Sequence, residues 1–333
     1  MEVIDKMEQC MHSHPPNIPQ SYPWLVICDE NHRERQNFFS ISENHFYKRK
    51  ISEMRNKTIC TSINGWLLVK DLDSMDLCLL NLTSKEVVQL PRLDSINTDT
   101  DICILSSSPS ESNHDCHVMF IKQRSTFYFC QPGDKEFSEQ EFEFNLDNRL
   151  MNIAAATMFR GKVYFLTWFS GAPPIYALFT AEFVGSNLHF TELTTEYLPQ
   201  PSPPGLLTAN DFLVESGGDL LYIHEMNTGC NFKMIHFFIF RMDFSRQVWV
   251  QVNNIGGWTI FLSRYRGIEH KAISCFATEK GIKQNSIYFT KAIDRFIYVF
   301  DLEDHGISKS LPCPIVSKYE SRLDWVMIPI KNS

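Results

Sequence analysis

Two short clusters carry the residue types of a metal site. Cys10, His12 and His14 alternate near the N-terminus, and His114-Asp115-Cys116-His117 places thiol, imidazole and carboxylate at four consecutive positions. Thiolate and imidazole are good zinc ligands, but a structural site needs four of them in tetrahedral array. The first cluster offers three at a spacing unlike a finger, so a tail that happens to contain histidine is the better reading. The second opens an apolar run, where successive side chains point to opposite faces; it reads as a loop entering a strand. No metal and no cofactor are expected. The sequence contains no G-x-S-x-G elbow, Walker loop, H-E-x-x-H or kinase signature. Gly217-Gly218 and Gly256-Gly257 read as strand turns rather than phosphate cradles. Ser, His and Asp are common along the chain and nothing marks one as activated, so no enzymatic activity is expected.

The remaining chemistry is recognition. Trp, Tyr and Arg dominate interface hot spots because they bury large area at low entropic cost. Arg264-Tyr265-Arg266 is locally basic and reads as a loop, and Trp168 stands just before Gly171-Ala172-Pro173-Pro174. Trp168, Arg264, Tyr265 and Arg266 are the candidate partner contacts. The alternatives are a core position for Trp168 and a solvated loop for the arginines. Trp66, Trp249 and Trp258 read as packing residues. Pro199-Gln200-Pro201-Ser202-Pro203-Pro204 reads as an extended connection, with a polyproline ligand as the alternative.

Composition narrows the partners. Thirty-one basic against 39 acidic residues give a net charge of −8, which argues against nucleic acid and against an anionic membrane surface. The ten cysteines are dispersed without a C-x-x-C pair and sit mostly in apolar runs, as small core hydrophobes of a reducing compartment do. The N-terminus has no apolar signal region. A cytoplasmic or nuclear location is expected, and the sequons at Asn56 and Asn81 are read as chance matches. Residues 163–181 carry no charge, but the Gly-Ala-Pro-Pro break makes them two strands around a turn rather than a span.

The elements that must hold these residues are strands. Length, 333 residues, gives a prior of about two domains, but a repeat replaces it. A turn pair followed by an apolar run recurs at Asn64-Gly65, Arg160-Gly161, Gly217-Gly218 and Asn285-Ser286, with weaker copies at Pro23 and His117. Each is followed by a second apolar run: 37–41, 77–82, 126–130, 175–179, 236–240 and 296–300. A third, alternating run closes the unit, as at 86–90, 141–144, 188–193 and 247–252. Five units also begin with a further run, at 58–63, 101–106, 152–159, 206–214 and 270–277. The pattern predicts an all-β chain: a single β-propeller of six four-stranded blades. Residues 1–20 are expected to form a flexible tail and 21–331 the propeller. The first unit lacks its opening run, and Asp324–Ile330 is predicted to supply that strand and close the ring. Seven blades are the alternative, because residues 253–284 have room for an extra strand pair.

Four stretches carry a resemblance to a known family. They are Tyr22-Pro23-Trp24-Leu25-Val26, Phe38-Phe39-Ser40-Ile41, the Gly65-Trp66-Leu67-Leu68 motif running into Leu80-Asn81-Leu82-Thr83 and Leu90-Pro91, and Trp249 through Asp301. Over residues 20–330 the chain resembles the plant F-box-associated β-propellers of KIB type. In that family an N-terminal F-box docks a Skp-type adaptor of a cullin ubiquitin ligase and the propeller binds the client. The resemblance therefore implies a client protein as partner and no catalytic residues. Met1–Pro19 shows no helical F-box pattern, so a propeller without its F-box, with no direct adaptor binding, is the expectation. The alternatives are a ligase substrate receptor, through a truncated gene model or a partner-supplied F-box, and a small-molecule binder or enzyme using the central channel.

Overall fold

The structure, a computed structural model, describes residues 23–328 apart from segments 30–35, 94–100, 110–115, 123–124, 145–148, 172–174, 194–205, 229–233, 266–268, 278–280, 291–295 and 313–320. The expected 1–20 tail and the proline-rich 199–204 segment lie outside the described residues. Apart from one 3-10 turn at Ser52–Met54, the regular structure described is strand.

The strands form six sheets, one per expected unit. Blade 1 contains β1 (Trp24–Asp29), β2 (Gln36–Ser40) and β3 (His45–Arg49). Blade 2 is β4 (Lys57–Ile63), β5 (Trp66–Asp71), β6 (Leu77–Asn81) and β7 (Val87–Gln89). Blade 3 is β8 (Ile102–Leu105), β9 (Val118–Ile121), β10 (Thr126–Cys130) and β11 (Ser138–Glu141). Blade 4 is β12 (Met151–Phe159), β13 (Lys162–Phe169), β14 (Ile175–Val184) and β15 (Asn187–Glu192). Blade 5 is β16 (Leu206–Ser216), β17 (Asp219–Thr228), β18 (Met234–Asp243) and β19 (Val248–Val252). Blade 6 holds β20 (Trp258–Tyr265), β21 (Glu269–Phe276), β22 (Ser286–Thr290), β23 (Phe296–Asp301) and β24 (Ile307–Pro312). The last strand, β25 (Ser321–Val326), returns to blade 1 and pairs antiparallel with β1, from Trp24 opposite Val326 to Asp29 opposite Ser321. The predicted closure is present, three residues earlier than expected.

Turn chemistry explains the hairpins. Asn64 and Gly65 (φ 47° and 83°) and Gly217 and Gly218 (64° and 84°) take the paired positive φ that matches hairpin twist. Gly217 is held by proximity as well: a Cβ there would lie 2.6 Å from Trp258 Nε1 of the next blade. A second device recurs at outer hairpins. Asn81 Oδ1 accepts the backbone N–H of Thr83 and Ser84, and Asp243 Oδ1 those of Ser245 and Arg246. A residue in the left-handed region follows four positions on, Lys85 (φ 61°) and Gln247 (56°). This is the Asx turn, in which the side chain replaces a backbone turn partner.

The core is divided into six layers, each between two neighbouring blades. Trp24 and Val26 face blade 2 with Leu67 and Val69, while Leu25 and Ile27 face blade 6 with Phe261 and Tyr288. Period-two alternation thus sends one apolar run into two layers, which is why the middle strands are apolar without interruption. Phenylalanines crowd the layer between blades 3 and 4, where Phe142 meets Phe165 edge-on at 5.1 Å and Phe179 at 4.9 Å.

Two expectations are corrected. Residues 253–284 hold one extra strand, β20, beside the expected 270–277 run, and it makes no seventh blade. Strand β20 inserts between β21 and β22, pairing parallel with β22, so blade 6 has five strands. The run at 270–277 is therefore not hydrogen-bonded to the one it was expected to precede. In blade 3 the outer strand is 138–141 rather than 141–144; Phe142 and Phe144 lie beyond it and pack into the blade 3–4 layer.

Strands β20 and β21 anchor the closing strand. Trp325 donates its backbone N–H to Ser263 Oγ (3.0 Å) and its indole N–H to the Leu262 carbonyl (3.2 Å), and its ring lies against Phe261. Lys271 bridges Asp324 Oδ1 (3.1 Å) and the Ile59 carbonyl (3.2 Å), joining blades 6, 1 and 2. Trp325→Ala is expected to cost about 3–5 kcal/mol by emptying a core position. Trp325→Phe keeps the ring contact but leaves the carbonyl unpaired, for about 1–2 kcal/mol. Urea unfolding of both variants checks the order.

Between blades 5 and 6, His236 stacks on His305 (5.3 Å) and meets the edges of Phe238 and Phe300. Burial, reinforced by charge on His305, holds its imidazole below the ordinary 6.5. A depressed base is stabilising in its neutral form, so this contribution is complete above 6.5 and is lost as pH falls. Melting temperature should drop from about pH 7 to about pH 5, and His236→Phe should flatten that drop.

Candidate functional site: the central channel

Closing six blades leaves a bore walled by the inner strands β25, β4, β8, β12, β16 and β21, with a cavity of about 790 Å³. Inner strands have one edge without a ladder partner, and buried backbone groups there must find side chains or water. The Lys271 contact to the Ile59 carbonyl is one such pairing. Bulges in β4 (Ile59/Thr61) and β12 (Ile153/Ala155) shift the side-chain alternation on that wall.

Asp101, Asp211, Glu215, Asp324 and Lys271 line the bore, with Trp168, Tyr176 and Trp325 as its aromatic members. The most highly organised group spans blades 4 and 5. Asp211 Oδ1 accepts from Tyr222 Oη (2.7 Å) and is 2.8 Å from His224 Nδ1; Oδ2 accepts from Tyr176 Oη (3.2 Å). His224 is 1% exposed and its Nε2 has no hydrogen-bond partner. Nearby, Ser216 and Ser274 hydroxyls meet at 2.7 Å and tie β16 to β21.

Of the sequence-predicted contacts, Trp168 lies in the channel wall, half-buried and directly opposite Asn152 on one side and Tyr176 on the other. Arg264 and Tyr265 are not in a loop: they are the last two residues of β20, opposite His270 and Glu269. The strand register carries the chain to Tyr265 before it turns. Arg266 lies outside the described residues, and blades 4 and 6 keep Trp168 and the arginine segment apart in the ring. Trp66 and Trp249 pack between blades as expected, and Trp258 closes against Gly217.

The two metal-like clusters are only partly visible. Cys10, His12, His14, His114 and Asp115 lie outside the described residues. Cys116 is buried with its thiol against the Ser107 carbonyl (3.3 Å), and burial pushes it up to about 11. His117 stacks flat on Phe183 at 3.7 Å. Cys275 is likewise pushed up by burial, to about 12. These thiols serve as core residues rather than nucleophiles.

Sequence reading did not single out Tyr176, Asp211, Tyr222 or His224. The available signal was a charged residue inside the 206–214 apolar run and a His-Glu pair inside the strand after Gly217-Gly218. Tyr222→Phe removes the shorter donor to a buried carboxylate and should cost about 2 kcal/mol; Tyr176→Phe, with a longer bond, should cost less. Chemical denaturation of the two variants measures the difference.

Comparison with known proteins places this architecture. A family model described as the KIB1-4 beta-propeller matches residues 38–310. The F-box protein At4g00893 of Arabidopsis thaliana is 23% identical over 257 residues, covering 74% of this chain and 61% of that protein. The Arabidopsis F-box/kelch-repeat protein At1g57790 is 25% identical over 291 residues, covering 84% and 74%. The chain thus spans less than two thirds of the first relative's length. Among solved structures, YjhT aligns over 96% of this chain and 98% of its own at 11% identity, with a TM-score of 0.34. The strand pairing itself defines the fold.

Proposed function

The chain belongs to the KIB1-4 β-propeller family, and on that premise we propose that it is a non-enzymatic protein-binding module that holds a client on one face of the ring. The observation that carries this reading is a row of aromatic and basic side chains running from the β12–β13 and β16–β17 hairpin turns of blades 4 and 5 to the open end of the β20–β21 pair in blade 6. Phe276 is 51% exposed and meets half-buried Trp258 edge-on at 5.6 Å. Trp258 abuts Gly217. The neighbouring Gly218 carbonyl accepts from exposed Arg160, whose guanidinium also lies over Phe159. Trp, Phe and Arg are the residue types that supply most binding energy at protein interfaces. Among the described residues no helix is long and apolar enough to cross a membrane. A cytoplasmic or nuclear setting accords with the buried free cysteines.

A second reading, substrate receptor of a ubiquitin ligase, is favoured by the F-box in both relatives' names. Client capture and adaptor binding separate the two. With the chain as bait in native extract, Arg160→Glu combined with Phe276→Ser should reduce recovery of the client at least about tenfold, without lowering the melting temperature. Equal recovery by the double variant overturns the client face. Direct binding of a purified Skp-type adaptor favours the receptor reading.

A further inference from the structure

The channel holds a carboxylate gripped by two phenol hydroxyls and an imidazole. The Asp211 side chain is 10% exposed, and it opens onto the cavity. Its contacts are two tyrosine hydroxyls and the Nδ1 of an imidazole with no hydrogen-bond partner at Nε2. Among the described residues no lysine or arginine forms an ion pair with it. The lysine lining the cavity, Lys271, is engaged by Asp324, and four carboxylates, Asp101, Asp211, Glu215 and Asp324, line the cavity beside it. Low-dielectric walls of one sign focus their field and concentrate counter-ions.

The wall beside Asp211 is aromatic. Asn152, Trp168 and Tyr176 are direct cross-strand partners on β12, β13 and β14, so their side chains share one face of the sheet. Tyr176 reaches Asp211 from that row. An indole and a phenol ring attract a cation over their faces, and the Asn152 amide oxygen adds an acceptor. The two Asp211 oxygens already accept three hydrogen bonds, which leaves room for N–H donors but not for chelation of a metal ion. A cavity of about 790 Å³ is the size of a small-molecule site.

The geometry points to an ammonium-binding site on the blade 4–blade 5 wall of the channel, in which Asp211 pairs with the cation and Trp168, Tyr176 and Asn152 enclose it. The ammonium arrives either on a free amine or on a lysine side chain of a bound protein. The site is separate from the Arg160–Phe276 surface, and its test does not depend on a client.

Calorimetric titration of the full chain at low salt, with spermidine in one arm and Nα-acetyl-lysine methylamide in the other, tests it. Saturable binding in either arm is expected, and the arm that binds identifies the source. Asp211→Asn and Trp168→Leu should each weaken it about tenfold or more, while Glu182→Gln, which removes an exposed carboxylate of the same blade, should not. Spermidine or the lysine derivative should also raise the melting temperature of the wild-type chain. If Asp211→Asn does not fold, Trp168→Leu and the melting shift decide. No saturable binding in either arm, or equal binding by a folded Asp211→Asn or Trp168→Leu variant, overturns the site.

Discussion

Every blade buries its middle strands on both faces, and that requirement governs the rest of the molecule. A sheet with two apolar faces needs two neighbours, so a row of such sheets would leave its end faces open to water. Bending the row into a ring removes the ends. The six core layers are the result, and the sixth joins Phe39 and Trp325 of blade 1 to Phe261 and Tyr288 of blade 6. The two inner strands of blade 6, β21 and the inserted β20, serve this closure directly. Strand β20 offers Ser263 and the Leu262 carbonyl to Trp325, and β21 offers Lys271 to Asp324.

A closed ring creates a second problem at its axis. The inner edges cannot pair with one another across the bore, so their free backbone groups favour water and polar side chains there. This explains how carboxylates come to be buried in a chain whose layers are otherwise apolar. A structure that must tolerate polar groups at its centre has a place to arrange them, and the Asp211–Tyr222–His224–Tyr176 group occupies that place.

Much of the ring was legible because its signals are local. Turn pairs such as Asn64-Gly65 and the runs that follow them depend on φ preferences and period-two burial, both visible in a few residues. What was not legible depends on partners distant in sequence. Periodicity identifies 270–277 as a strand and leaves room before it for more, but cannot say that 258–265 inserts there and pairs parallel with 286–290. Phe142 and Phe144 alternate as strand residues do, yet the ladder ends at Glu141 and they serve the adjoining layer. Arg264 and Tyr265 resembled a loop because polarity, not backbone pairing, was what the sequence displayed. The Asx turns at Asn81 and Asp243 were readable and overlooked: a strand-ending Asn or Asp, then Leu82 or Phe244 turned inward, recurs with a fixed offset to the left-handed residue. The Asp211 group is assembled from four residues on three strands of two blades, so no spacing rule could have revealed it.

The position of β25 also sets a timetable for biosynthesis. Strands β1 to β3 leave the ribosome before the other blades, but their fourth strand follows only after all five of them. Until then the first blade presents an unpaired inner edge and one bare apolar face, the features that promote association with other nascent chains. The pairing of β1 with β25 joins strands separated by the five other blades, the kind of non-local contact that slows folding. Chaperone demand during synthesis should therefore be concentrated at blade 1, and relief should come only once β25 has been made.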